Sequence, residues 1–437
     1  ARAMAWYRRA AEQALEGSDL GVVHERAERA IMCGAAGEDI GALRCLQAHA
    51  HEWQGQFIEA ERCAVEAMRL LPRESARRFE AARQVAMAAG RLGDFANLAK
   101  VSEQMLELAE GGELSEGAVV ALTEASMRFS IAGRGASARR INASIEAFAA
   151  RGGDIDPKVR ARINQARSYT AYLLEGDIGT YLERMAEAVE SYGKAGDLRN
   201  AFYAGGDLGY AQLEIGAYAD VEATLRGVIE GADRMGLSGV AAVARKNTAM
   251  AIARLGDLDR ALELETEALQ MFVGQRDRRM EGGARIYLAL IHLLRGELEP
   301  AQNQARTAVE VLAASPPLRV YALAVLASAL LRAGLGGKAL RVIQHMLASL
   351  REQGASLEAL GEGAEGESFI RLAHAEVLFE DGQTELAREV IKEARARLFA
   401  RADRIRRAAW RESFLARVPH NARTIELAAL VCSSPSL

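Results

Sequence analysis

Ten glycines in step set the frame of this chain. Gly17, Gly55, Gly93, Gly133, Gly176, Gly216, Gly256, Gly296, Gly334 and Gly382 each close an apolar-periodic stretch and open a short turn, spanning 365 residues in nine intervals, a mean period close to 41. A fixed period of that size is the signature of a repeat array, in which one supersecondary unit cannot bury its apolar face until neighbours stack on it. Glycine tolerates the left-handed backbone that ends a helix. The followers Asp94, Asp177, Asp257 and Glu297 place negative charge at the start of the next one.

Other positions keep step. Seven residues before the glycines lie Ala10, Ala48, Ala86, Ser126, Tyr169, Gly209, Ala249, Ala289, Ala327 and Ala375. All but Tyr169 are small, which lets the two helices of a hairpin approach closely; Tyr169 marks either a splayed pair or a misaligned unit. Five residues after the last nine glycines come Ala60, Leu98, Ala138, Tyr181, Val221, Ala261, Ala301, Ala339 and Ala387. Seven further on come Ala67, Met105, Ile145, Ala188, Val228, Ala268, Ala308, Met346 and Ala394. Every one is apolar, so each second helix carries one buried stripe.

At 437 residues the chain exceeds the roughly 250–300 at which a single core stops growing, and an array resolves that. Aromatics at 5% and only 7 prolines, with Ala, Leu, Glu and Arg throughout, favour helix over strand. The expected fold is all-α: a right-handed superhelical solenoid of about ten antiparallel helix pairs. A formal charge of −4 argues against a nucleic-acid role for the chain as a whole. Cys33, Cys45, Cys63 and Cys432 show no CxxC spacing, which fits a reducing, cytoplasmic setting. With no long uncharged apolar run, no membrane segment or signal peptide is expected. The chain begins with Ala1 and not Met, which points to a piece of a longer protein.

The phasing of small residue, glycine turn and paired alanines resembles the tetratricopeptide repeat, best in the unit Ala48, Gly55, Ala60, Ala67, Pro72. The usual period is about 34, so the extra residues imply longer helices, as in the sensor solenoids of bacterial ATPase regulators resembling the maltose-system activator. The opening stretch from Trp6 to Gly17 and the closing stretch from Arg411 to Thr424 resemble the helical C-terminal region of large bacterial serine/threonine kinases that carry a signal-transduction ATPase module. That resemblance implies a catalytic part upstream of this segment and none within it.

The expected organisation is a solenoid over 1–400, with a loop insertion near 351–368, and basic capping helices with a tail over 401–437. The insertion, rich in Gly, Ser and Glu, reads as a mobile loop. A second irregularity, Arg151 to Pro157, reads as a turn before a proline-started helix. Residues 395–423 hold nine arginines against Asp403 and Glu412. They read as a solvated terminal cap or, alternatively, as a site for an acidic partner.

Chemistry-bearing motifs are scarce. The stretch from Gly361 to Gly366 satisfies GxGxxG, but helix precedes it, and Glu362 and Glu365 would repel phosphate. The turn Gly334 to Ala339 lacks the frame and the hydroxyl of a phosphate loop. No kinase catalytic sequence and no nucleophile elbow is present. Cys45 and His49, four apart, could share a metal, whereas His49 and His51 face different ways on a helix. No catalytic residue, cofactor site or metal site is expected.

A stacked array curls so that its first helices line a concave groove. Carried over from the tetratricopeptide pattern, the groove residues here are Tyr203, Tyr210, Lys246, Met250, Arg254, Ile286 and Leu290; the alternative is that they only pack or meet water. The Lys/Asn carboxylate clamp of some members is not reproduced, since Met250 follows four after Lys246. The reading is a non-catalytic scaffold binding a protein, peptide or small effector in the groove, in the regulatory region of a signalling kinase or ATPase regulator. The alternative is a self-assembling structural spacer.

Overall fold

In a computed structural model the chain is described over residues 2–110, 114–152, 155–352, 356–357, 363 and 365–433. Those residues form 22 helices and no strand. Each of the ten glycines ends the first helix of a hairpin. The first helices are α1 (Arg2–Glu16), α3 (Glu38–Trp53), α5 (Ala76–Leu92), α7 (Glu116–Ile131), α9 (Pro157–Glu175), α11 (Leu198–Glu214), α13 (Ser238–Leu255), α15 (Arg278–Arg295), α17 (Pro316–Arg332) and α19 (Glu367–Glu380). The second helices are α2 (Leu20–Met32), α4 (Phe57–Leu70), α6 (Phe95–Glu110), α8 (Gly135–Ala150), α10 (Ile178–Lys194), α12 (Tyr218–Arg234), α14 (Leu258–Gln275), α16 (Leu298–Val311), α18 (Gly336–Glu352) and α20 (Thr384–Asp403). Two further helices, α21 (Ala408–Ala416) and α22 (Pro419–Ser433), close the array against α19 and α20.

Nine of the ten turn glycines have positive φ, between 71° and 101°. The first unit differs: Gly17 does not, and Ser18 takes the left-handed conformation in its place at φ 61°. Asp94, Asp177 and Asp257 accept hydrogen bonds from the backbone amides of Asn97, Thr180 and Arg260, capping the following helix. Glu297 makes no such cap and instead accepts from Arg295 Nε at 2.8 Å and pairs with His292 at 2.6 Å. The eighteen apolar positions after the glycines are all buried, as are the small positions before them except half-buried Ala10. At the close crossings even a methyl is too much: a Cβ on Gly209 would lie 2.5 Å from Leu225. Tyr169, large where its counterparts are small, packs edge-on against Tyr181 of α10 at 5.6 Å.

The array curls tightly enough to meet itself. At α1, α3, α5, α7 and α11 the end of the first helix or the turn after it touches the helix ten places on. Arg199, at the start of α11, donates to the carbonyls of Leu15 and Glu16. Ser238, opening α13, donates to Gln54 O at 2.9 Å. Arg91 at the end of α5 pairs with Asp277, the N-cap of α15, at 3.2 Å. Gly133 lies against Pro317 of α17, and Gly216 against Ser413 and Arg417 around α21. Five hairpins therefore make one turn of superhelix, and the next turn stacks on it. The first helices face the axis and the second helices form the outer layer.

The helix after the irregular stretch starts at Pro157 and is capped by Asp156, which accepts from Lys158 N at 2.7 Å; residues 153 and 154 lie outside the described residues. So do 353–355, 358–362 and 364, on which most of the expected mobile loop falls. Of that stretch, Leu357 is buried, and its carbonyl accepts from Arg371 Nη2 at 2.5 Å. No helix of the described residues is long and apolar enough to cross a membrane.

Candidate functional site: an axial cavity

The concave side of the stacked turns holds a cavity of about 180 Å³ on the superhelix axis, lined by residues from α3 through α22. A cavity of roughly 150 Å³ accepts a benzene ring. This one differs in its walls, which carry charge and tyrosine.

Ionic rungs join the first helices side by side. Arg83 of α5 forks onto Glu52 of α3 at 2.9 and 2.7 Å and reaches Glu80 at 3.2 Å. Glu124 of α7 meets Arg128 at 2.7 Å and Arg162 of α9 at 3.6 Å; Arg162 also donates to Asn200 of α11 at 2.8 Å. Arg128 Nη2 donates to the Tyr203 hydroxyl at 2.9 Å. Burial alone would raise these carboxyls, but the guanidiniums win: Glu124 is lowered and Glu80 is pulled down to about 2.

Between α9 and α11 the rungs become tyrosine to carboxylate. Tyr169 donates to Asp207 at 2.8 Å; Tyr172 donates to Glu214 at 2.9 Å and shares a 3.0 Å bond with the Tyr210 hydroxyl. Among the described residues no guanidinium lies within 4 Å of either acid, and burial raises both, Asp207 to about 6.

Lys246 of α13 faces the cavity and is 8% exposed. Its ammonium sits 4.0 Å from the centre of the Tyr287 ring, a cation–π contact. Every other lysine or arginine on the wall has an acid within 4 Å: Arg91 has Asp277, Arg128 has Glu124, Arg279 has Glu365, and Arg401 has Glu367. Lys246 has none among the described residues, and burial lowers its pKa. Behind it, Glu265 of α14 is fully buried with neither oxygen hydrogen-bonded, and burial pushes its pKa well up, toward the neutral acid.

Of the seven residues expected in the groove, Tyr203, Tyr210, Lys246 and Ile286 line the cavity. Met250 and Leu290 are buried in the core between helices, and Arg254 lies half-buried at the end of α13. Asp207, Glu214, Arg128 and Arg279, which the pattern does not single out, line it too. A charged residue inside an apolar run of a first helix, as Arg128 is between Met127 and Phe129, was the available signal. His49 lies 3.7 Å from Glu80, whereas His51 stacks on His24 at 4.0 Å and pairs with Gln56. Cys45 Sγ approaches Gln84. No three metal-ligating side chains converge among the described residues.

No protein-family model and no curated protein matches this chain. Solved structures resemble it. The Rap protein complexed with competence and sporulation factor is 12% identical over 81% of this chain and 99% of its own, with a TM-score of 0.56. Aspartyl phosphate phosphatase F from Bacillus subtilis (11%, 83% and 94%, 0.46) and yeast Tom70 (12%, 98% and 98%, 0.41) lie further off. The fold is a tetratricopeptide-like superhelical solenoid. At such identities the likeness speaks to fold alone.

Proposed function

We propose that this chain is a non-catalytic binding solenoid that holds the acidic group of a peptide, protein segment or small effector in its axial cavity. The observation that carries the reading is Lys246, a buried ammonium with no carboxylate within 4 Å among the described residues, facing a cavity whose guanidiniums are each paired with an acid. Leaving a charge so placed is costly unless something pairs with it. Tyr203, Tyr210 and Ile286 supply flanking surface, tyrosine being a residue type that anchors interfaces. The resemblance of the two end stretches supports a place in the cytoplasmic regulatory region of a multidomain signalling kinase or ATPase regulator. The solenoid of 1–400 would be the sensor there, and the basic segment 401–437 its cap.

The test is a thermal-shift screen of short acidic peptides and small carboxylates, repeated on Lys246→Met. This exchange keeps the volume and removes a buried charge, so the variant folds. Ligands that stabilise the wild-type chain should bind the variant more weakly by about 2 kcal/mol or more, roughly thirtyfold. Equal affinity for both would rule the cavity reading out.

A further inference from the structure

Two unmatched charges of opposite sign share the cavity wall. One is the Lys246 ammonium on α13, held 4.0 Å from the centre of the Tyr287 ring. The other is the Glu214 carboxyl at the end of α11, which has hydroxyl donors but no cation within 4 Å among the described residues. The Tyr172 hydroxyl has one hydrogen and gives it to Glu214 Oε2 at 2.9 Å, so in the 3.0 Å bond between the two hydroxyls Tyr210 is the donor. Two tyrosines in series thus aim their hydrogens at this carboxyl and leave its charge unmatched. Arg279, on the same wall, is spent on Glu365, its Nη2 donating to both carboxylate oxygens at 2.6 and 2.7 Å. Burial works against the charged forms of Lys246 and Glu214, and each acts electrostatically on the other. Asn247, 1% exposed, adds a second acceptor to the wall, an Oδ1 with no hydrogen-bond partner among the described residues.

A carboxylate alone would satisfy Lys246 and leave Glu214 without a cation, and an amine alone would do the reverse. A molecule carrying both charges matches both groups and brings no net charge into the interior. We infer that the axial cavity is a site for a zwitterion, a free α-amino acid with an aliphatic side chain, its carboxylate on Lys246 and its ammonium on Glu214. The inference rests on the cavity reading above and gives its small effector a chemical class. Met280, Ile286 and Leu318 supply apolar wall for the side chain. The volume, about 180 Å³ against the roughly 150 Å³ that admits benzene, suits a short aliphatic group and not a fused aromatic one.

The probes are L-leucine, 4-methylpentanoate, which lacks its ammonium, and 3-methylbutylamine, which lacks its carboxylate, with the matching set for L-valine. Each half-molecule is smaller than its parent, so size excludes neither. In calorimetric titrations the wild-type chain should bind one of the two amino acids at least about thirtyfold more tightly than either of its halves. Glu214→Gln keeps an acceptor for Tyr172 and should bring the amino acid down to the affinity of its carboxylate half; Lys246→Met should bring it down to that of its amine half. If neither amino acid binds, or if the carboxylate half binds wild type as tightly as the whole, the inference fails. Should Glu214→Gln not fold, the wild-type series decides by itself. A carboxylate half that equals the whole yet weakens in Lys246→Met overturns only this inference, whereas a carboxylate held equally by wild type and Lys246→Met overturns the cavity reading with it.

Discussion

Glu124→Ala should lower the opening free energy of α7 amides by about 3–5 kcal/mol, read by native-state hydrogen exchange. That is the range for removing one partner of a buried ion pair. Glu124 is 1% exposed and stands between Arg128 and Arg162; without it two guanidiniums are left in the interior with one hydrogen-bond partner each, the Tyr203 hydroxyl and Asn200. The loss should centre on α5 to α11, because a stacked array passes stress chiefly between neighbours. Glu124→Gln keeps an acceptor but not the charge, so it should fall between wild type and the alanine variant. A change under about 0.5 kcal/mol for Glu124→Ala would show that the rungs are not desolvated as the structure has them.

A second large effect is acid sensitivity above the carboxylate range. Burial beside the Phe369 ring, with Arg254 and Arg401 also acting, depresses His420 to about 3. The unfolded chain takes up this proton near pH 6.5, and the folded chain does not until about pH 3. Across that window the unfolded state binds more protons, so stability falls as pH falls, by up to about 1.4 kcal/mol per pH unit for this one group. The contribution is present above pH 6.5 and is lost on the way down to 3. His49 and His51, also lowered by burial, add slope of the same sign. Asp207, raised to about 6, opposes it, since the folded state holds that proton more firmly. His420→Gln should remove up to one proton's worth of slope between pH 6.5 and 4.5; Glu80, held near 2, begins to add slope toward pH 4.5 but does so equally in both proteins and cancels in the difference. Urea midpoints measured across that window with parallel pH dependence in variant and wild type would contradict the depressed pKa of His420.

The hairpins were legible because each turn repeats one requirement, a residue able to take positive φ, and a glycine meets it in nine units of ten. In the first unit the glycine is present, yet Ser18 carries the positive φ. The local pattern marks where the turn falls and not which residue bends. The cavity was legible only in part. Tyr203, Tyr210, Lys246 and Ile286 could be placed by position within a repeat, since that fixes which face of a first helix looks inward. Met250 and Leu290 could not be separated from them, because the tightness of the curl decides whether an inward residue meets space or a neighbouring helix. Contacts between successive turns are invisible to a period of about 41: Arg91 and Asp277 lie 186 residues apart. The Glu365 fork was hidden for another reason. Its segment breaks the period, and nothing in a glycine-rich acidic stretch read as a mobile loop points to the pairing of Glu365 with Arg279.

Hydrogen exchange with a stabilising acidic ligand bound tests most directly where this chain binds. At a ligand concentration of about 100 Kd, amides of α11, α13 and α15 whose opening breaks the site should slow by up to about a hundredfold, with α12, α14 and α16 nearly unchanged. Protection confined to the outer helices, or to α21 and α22 alone, would contradict binding on the axis.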